Sequence, residues 1–211
     1  MKGEDAREWM VRHDLAGIRD ERVLKAFREV DRALFVPDEL RESAYADSPL
    51  PIGHGQTISQ PFIVAYMLEQ LNIRPDHRVL EVGAGSGYVV ALLTRLCKEV
   101  VATELVRGLA ILARKNLRRN GASNYVIIHD PRTLGAPERA PFDRVIVSAA
   151  APALPRELVD QLVEGGVMII PIGTTEQWLW RVTKEEGAAG EALVTRERLL
   201  PVRFVPLKRV A

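Results

Sequence analysis

Cysteine occurs once in this chain, at Cys97. A single thiol excludes an internal disulfide framework and any zinc site built from several cysteines. Its setting in the apolar run VVALLTRLC marks it as a buried structural thiol. Long apolar runs are missing as well. No stretch approaches the roughly 18 uninterrupted apolar residues that suggest a membrane span. The opening residues, MKGEDAREWM, carry no apolar core of a signal peptide. A cytoplasmic protein without membrane contact is therefore expected. The chain also lacks an excess of charge. Lys and Arg total 29 against 28 Asp and Glu, a formal net charge of +1. A chain-wide footprint for nucleic acid is thus absent, and no nucleic acid is expected as partner, although a local basic face remains compatible with that total. The four histidines are scattered, and neither a G-x-S-x-G elbow nor an H-E-x-x-H motif occurs. A metal centre and a catalytic triad are not expected.

What is present is the composition of one globular domain: 211 residues, 47% hydrophobic and 27% charged, enough to bury a substantial core. The first third reads as helical. Asp20 is placed to cap a segment with Val23, Leu24, Phe27 and Val30 at helical spacing. Pro37 breaks the chain, and YADSPLPIGHGQTISQP (45–61) reads as an extended, turn-rich loop. FIVAYMLEQL then has the apolar density of a buried helix, ended by Pro75 and Asp76.

From there the rhythm alternates. RVLEV (78–82) is a strand that stops at GAGSG, and YVVALLTRLC (88–97) a helix. VVATEL (100–105) is a second strand. VRGLAILARKNLRRNG (106–121) is an amphipathic helix stopped by Gly121. NYVIIHD (124–130) and RVIVSAA (144–150) are the next strands, and a helix is expected from Pro155 through Leu162. The pair GG (165–166) leads into VMIIPIG. WLWRV and PVRFVPL read as closing antiparallel strands, with EEGAAGEA (185–192) as an exposed turn. Strand–helix alternation at this spacing predicts an α/β fold with right-handed βαβ units and an open, mostly parallel twisted sheet flanked by helices. Ligands of such sheets lie beyond the carboxyl ends of the strands. One domain is expected over 1–211, in three parts. Residues 1–75 supply amino-terminal helices and a loop, 76–173 the βα core, and 174–211 the closing strands.

VLEVGAGSGY is a strand, a glycine loop and a helix start. Gly83, Gly85 and Gly87 allow positive φ and close approach of backbone to a ligand. A tight structural turn is the competing reading. Tyr88 stands where the dinucleotide fingerprint wants glycine, which disfavours a nicotinamide-dependent oxidoreductase. Glu104 ends the next strand, where a carboxylate accepts both hydroxyls of a ribose. It is also a place for a simply solvated acid. Loop and carboxylate together favour the ribose role.

The pattern Glu81-Val82-Gly83-Ala84-Gly85-Ser86-Gly87 resembles the E-x-G-x-G-x-G of class I methyltransferases. DSPLPIGHGQTISQP, VLEVGAGSGY, APFDRVIVSAAAP, LVEGGVMIIPIG and FVPL follow in order. Over about Leu34 to Leu207 they resemble the protein-L-isoaspartate O-methyltransferases. The resemblance implies a Rossmann-like fold and S-adenosyl-L-methionine as cofactor. It implies isoaspartyl-containing proteins and peptides as substrates, with methylation of the free α-carboxylate of an L-isoaspartyl residue. The ester then closes to a succinimide that reopens partly to normal aspartate, which is protein repair. It assigns cofactor binding to Glu81, Gly83, Ala84, Gly85, Gly87, Glu104, Leu105 and Asp130. It assigns catalysis to Ser59 and the substrate side to Thr57, Ile58 and Gln60.

A carboxyl of reference pKa near ~3.9 is already ionised at neutral pH, so the nucleophile needs positioning and no general base. Ser59 is accordingly read as an orienting hydroxyl. The backbone between Gly55 and Pro61 is read as an edge for an extended peptide. The competing reading has Thr57, Ser59 and Gln60 satisfying turn backbone and capping the next helix. His54 reads as an exposed loop histidine.

His129-Asp130-Pro131 departs from the usual Gly-Asp-Gly of that family. It keeps the carboxylate that approaches adenine but removes one backbone N–H and any positive φ at position 131. Asp130 also has a plain reading as a turn-forming Asp before Pro. Other readings are a class I methyltransferase acting on another carboxylate or small molecule, and a cofactor- or peptide-binding protein with weakened turnover. A monomer is expected.

Overall fold

The computed structural model describes residues 5–186 and 192–208. Three helices and a hairpin precede the sheet. They are α1 (Ala6–His13), α2 (Glu21–Glu29), the hairpin strands β1 (Leu50–Gly53) and β2 (Gln56–Ile58), and α3 (Pro61–Gln70). Asp20 caps α2 through its side chain, which accepts the Arg22 N–H at 2.9 Å, and Val23, Leu24 and Phe27 are buried below it. The sequence pattern is borne out there.

The segment read as an irregular loop is a hairpin instead. Leu50 pairs with Ile58, Pro51 with Thr57 and Gly53 with Gln56. The two turn residues, His54 and Gly55, have φ of 54° and 68°, the sign pattern of a type I′ turn, whose twist suits a hairpin. Leu50, Ile52 and Ile58 are buried, so period-2 alternation holds the short strands in register despite the prolines and glycines.

The core alternates β3 (Arg78–Val82), α4 (Tyr88–Leu93), β4 (Glu99–Thr103), α5 (Arg107–Arg119), β5 (Tyr125–Ile128), β6 (Phe142–Val147), α6 (Arg156–Val159) and β7 (Leu162–Ile172). β8 (Gln177–Glu186) and β9 (Ala192–Val202) complete it. The seven-stranded sheet has the order β5-β4-β3-β6-β7-β8-β9. The first five run parallel and the last two antiparallel. Chain direction across the sheet reverses between β3 and β6, so the crevice that open α/β sheets use for ligands lies above Val82 and Val147. β3 buries Val79, Leu80, Glu81 and Val82 because both of its faces are covered. Val79 packs with the helices of the amino-terminal half, while Leu80 and Val82 pack on the opposite side with Phe142, Val145 and Leu158. No helix among the described residues is long and apolar enough to cross a membrane.

Several boundaries differ from the sequence reading. α4 ends at Leu93, not 97. α6 has four residues, with Pro155 before it rather than inside it, and Leu162 already belongs to β7. Gly165 (φ 74°) and Gly166 lie within β7, where the pairing with β6 jumps from Phe142↔Leu162 to Arg144↔Val167. The glycines mark a bulge, not the entry to the strand.

Of PVRFVPL only Pro201 and Val202 are strand. The rest leaves the sheet because other groups take its backbone. The Phe204 N–H donates to Gln177 Oε1 at 2.6 Å, and Gln177 Nε2 donates to the Phe204 carbonyl at 3.1 Å. Ala150 brackets the next residues, its N–H donating to the Val205 carbonyl at 2.8 Å and its carbonyl accepting the Leu207 N–H at 2.7 Å. The expected turn EEGAAGEA falls mainly on 187–191, outside the described residues.

Candidate active site

The glycine loop is pinned from β4. The Gly83 and Ala84 N–H groups both donate to the Thr103 carbonyl, at 2.9 and 3.0 Å. Gly83, Gly85 and Gly87 have φ of 93°, 54° and 93°, a run that side chains would strain. Gly87 has a further reason to be glycine. A Cβ there would stand 3.3 Å from Ala113 Cα, so the residue lets α4 start hard against α5. Gly87 does not line the cavity above the loop, and its place in the cofactor set is one of packing.

That cavity has a volume of about 800 Å³. Glu81, Gly83, Ala84, Gly85, Glu104, Leu105 and Asp130 line it, as do Thr57, Ile58 and Ser59 of the hairpin. The structure thus brings together the hairpin residues and a set that begins only at Glu81, two groups that the family resemblance alone had linked. Ile58 buries its side chain in the core, at 5% exposure, so backbone is what it presents to the cavity. Gln60 lies outside it, in an adjoining cavity of about 410 Å³ walled by Pro49, Ile63 and the segment from Pro201 to Val205. Thr57, Ser59 and Ser148 line both spaces and form their junction.

Glu104 is 7% exposed. Its Oε2 accepts the Gly85 N–H and its Oε1 the Val106 N–H, each at 2.8 Å. Two lone-pair sites remain on the carboxylate, enough for two hydroxyls. His129 holds the same residue from below, its Nδ1 lying 3.0 Å from the Glu104 carbonyl. That oxygen only accepts, so Nδ1 carries the proton. The residue that departs from the usual glycine therefore holds the backbone carbonyl of Glu104.

Glu81 is buried, at 1% exposure. Ser148 Oγ donates to its Oε1 at 3.1 Å, while Oε2 has no partner among the described residues. Burial pushes the carboxyl up to about 8, against the hydrogen bond from Ser148 and helped by the charge of Glu104. An unpartnered buried acceptor in this wall suits a ligand with a cationic end. Together with Glu104 and the exposed loop backbone, it fits S-adenosylmethionine, which carries an ammonium and a ribose diol.

Asp130 lines the cavity, yet both of its oxygens serve its own turn. Oδ1 accepts the Arg132 N–H at 3.0 Å and Oδ2 the Thr133 hydroxyl at 2.9 Å. These bonds, the backbone one first, hold the carboxyl below the usual range. The turn-forming reading is therefore realised, and two lone-pair sites remain on the carboxylate for an adenine amino group. Pro131 lines the cavity beside it.

Ser59 is half-buried, and among the described residues neither its hydroxyl nor that of Thr57 has a hydrogen-bond partner. The competing reading, in which these side chains cap α3, is not realised. Asp47 does that work: Oδ1 accepts the Phe62 N–H at 2.9 Å and Oδ2 accepts from Gln60 Nε2 at 2.7 Å. The Ser59 carbonyl is held by Arg32, which is fully buried. Its guanidinium donates to four carbonyls: Ala44 at 2.6 Å, Ala46 at 3.3 Å, Ser48 at 3.2 Å and Ser59 at 2.9 Å. Burial lowers its pKa. Sequence reasoning gave no role to Arg32, Asp47 or the Ser148 hydroxyl, although Asp47 and Ser148 fall within the motifs DSPLPIGHGQTISQP and APFDRVIVSAAAP.

Comparison with known proteins agrees with this geometry. The family described as Protein-L-isoaspartate(D-aspartate) O-methyltransferase (PCMT) matches residues 7–210. A protein-L-isoaspartate O-methyltransferase of Myxococcus xanthus is 49% identical over 202 residues, covering 95% of this chain and 93% of its own. One from Anaeromyxobacter dehalogenans is 53% identical over 193 residues, covering 90% and 91%. Among solved structures, a Plasmodium falciparum protein described as a protein-L-isoaspartate O-methyltransferase, in complex with S-adenosyl-L-homocysteine, superposes with a TM-score of 0.83 at 31% identity. It covers 98% of this chain and 100% of that one. This chain belongs to the protein-L-isoaspartate O-methyltransferase family.

Proposed function

We propose that the chain is a repair enzyme that transfers a methyl group from S-adenosylmethionine to the free α-carboxylate of L-isoaspartyl residues. One observation carries the assignment of roles. Thr57, Ser59 and Ser148 form the junction between the cavity over the glycine loop and the cavity walled by the carboxyl-terminal segment. A cofactor in the first and a peptide in the second meet there.

When bound, S-adenosylmethionine supplies a methyl group already activated on a sulfonium. Glu104 takes the ribose hydroxyls, Glu81 faces the ammonium, Leu105 packs beside the nucleoside, and Asp130 approaches the adenine amino group. Ser59, whose hydroxyl has no partner among the described residues, would donate to one oxygen of the substrate carboxylate and leave the other free to face the methyl group. Thr57 assists from the strand end. The substrate is ionised at neutral pH, so catalysis consists of alignment and exclusion of water. The peptide backbone lies along the Pro201–Val205 wall, next to Gln60.

The decisive assay is transfer of labelled methyl from S-adenosylmethionine to an isoaspartyl peptide, with the normal aspartyl peptide as control. Labelling of the first alone is expected. Calorimetric binding of the cofactor without labelling of either peptide would point to a different substrate. The reading includes a cytoplasmic monomer with neither nucleic acid nor membrane as partner, since damaged residues are spread over many unrelated proteins. Light scattering at twice the chain mass would overturn the monomer.

A further inference from the structure

We propose that Arg203 is a specificity residue that favours isoaspartyl peptides with an acidic side chain beside the damaged residue and disfavours those with a basic one. The inference rests on the reading of the smaller cavity as the peptide site. Eleven of the described residues line that cavity, and among them Arg203 is the only ionisable one. The others are apolar or neutral: Thr57, Ser59, Gln60 and Ser148 among them. A full positive charge thus stands at an otherwise uncharged groove.

That charge is exposed and has no ion-pair or hydrogen-bond partner among the described residues. Arg78, by contrast, pairs with Glu99 at 2.8 Å. Asp47, in the loop before the hairpin, is spent on the Phe62 N–H and on Gln60. The backbone that carries Arg203 is also fixed. Gln177 holds both backbone groups of Phe204, and Ala150 takes the Val205 carbonyl. The guanidinium therefore swings from an anchored point at the groove, rather than from a loose tail.

Ser59 orients the reacting carboxylate at the inner end of the groove, so the cation is left for a second charge on the peptide. An arginine side chain in this position attracts a neighbouring carboxylate and repels an ammonium. Each effect is small at a partly solvated site, but they act in opposite directions on the two peptides. The combined discrimination is about tenfold at low ionic strength, and it shrinks as salt is added.

The test uses isoaspartyl peptides with Glu, Gln or Lys at the position just before or just after the isoaspartate, and kcat/KM for each. Wild type is expected to prefer Glu over Lys by about tenfold at one of the two positions. Arg203→Gln should bring that ratio to about one and Arg203→Glu should reverse it, a sign change that a merely structural residue cannot produce. A ratio that stays the same in Arg203→Glu overturns the proposal, as does a wild type that methylates all the peptides alike. A wild type that methylates none, the neutral Gln peptides included, overturns the repair reading itself and this inference with it.

Discussion

The Glu104 carboxylate receives the Gly85 N–H on one oxygen and the Val106 N–H on the other, both at 2.8 Å. One side chain thereby ties the glycine loop to the start of α5 and fixes its own orientation toward the cavity. Glu104→Gln puts an amide donor against one of these N–H groups and removes the charge. Cofactor affinity measured by calorimetry should fall about tenfold to a hundredfold, the loss of one or two charge-assisted hydrogen bonds. A dissociation constant within twofold of wild type would place the ribose elsewhere.

Ser59 stands at the far side of the same cavity, where its hydroxyl has no competing partner. Ser59→Ala should lower kcat for an isoaspartyl peptide by about tenfold to a hundredfold, the cost of a hydrogen bond to a charged group. The cofactor dissociation constant should stay nearly the same. A large loss of cofactor affinity would mean that the hydroxyl contacts the cofactor rather than the substrate carboxylate.

The sequence was most informative where local chemistry decides structure. Asp20 before an apolar period gives a cap and a helix, and RVLEV followed by glycines gives a strand and a ligand loop at matching residues. It was least informative where a distant group decides. The hairpin at 50–58 has too many turn residues to read as strands, and only the burial of Leu50, Ile52 and Ile58 against the helices selects that pairing. FVPL looks like a strand until Gln177, 27 residues away, takes its hydrogen bonds. In the site, the motif residues were legible through the family pattern. Arg32 was not, because it acts on backbone that no spacing rule connects to it, and Asp47 stood in the pattern without its capping bond being evident.

Arg32 offers a test of that unseen layer. Its guanidinium serves four carbonyls of the segment leading into and out of the hairpin while fully excluded from water. Arg32→Met leaves those acceptors unsatisfied, and the unfolding free energy from urea titration should drop by about 3 kcal/mol. Arg32→Lys keeps the charge but not the fork, and should recover only part of the loss. Equal stability of the methionine variant and wild type would show that water replaces the guanidinium without cost.

Glu81 gives the pH dependence its sign. Its folded carboxyl holds a proton up to about pH 8, whereas the reference value is 4.5. Between those values the native state binds more protons than the unfolded chain, so this residue's contribution to stability falls as pH rises and levels off above 8. The full span is roughly 5 kcal/mol for a fully buried group, and Glu81→Gln should remove most of that part of the slope in urea titrations at pH 5 and 8. A cationic ligand end beside Glu81 favours the ionised form, so cofactor binding at neutral pH should expel this proton. Calorimetry at pH 7 in two buffers of different ionisation heat should therefore give apparent enthalpies that differ for wild type and coincide for Glu81→Gln. Coinciding enthalpies in the wild type would mean that Glu81 stays protonated beside the cofactor and that no charge pair forms there.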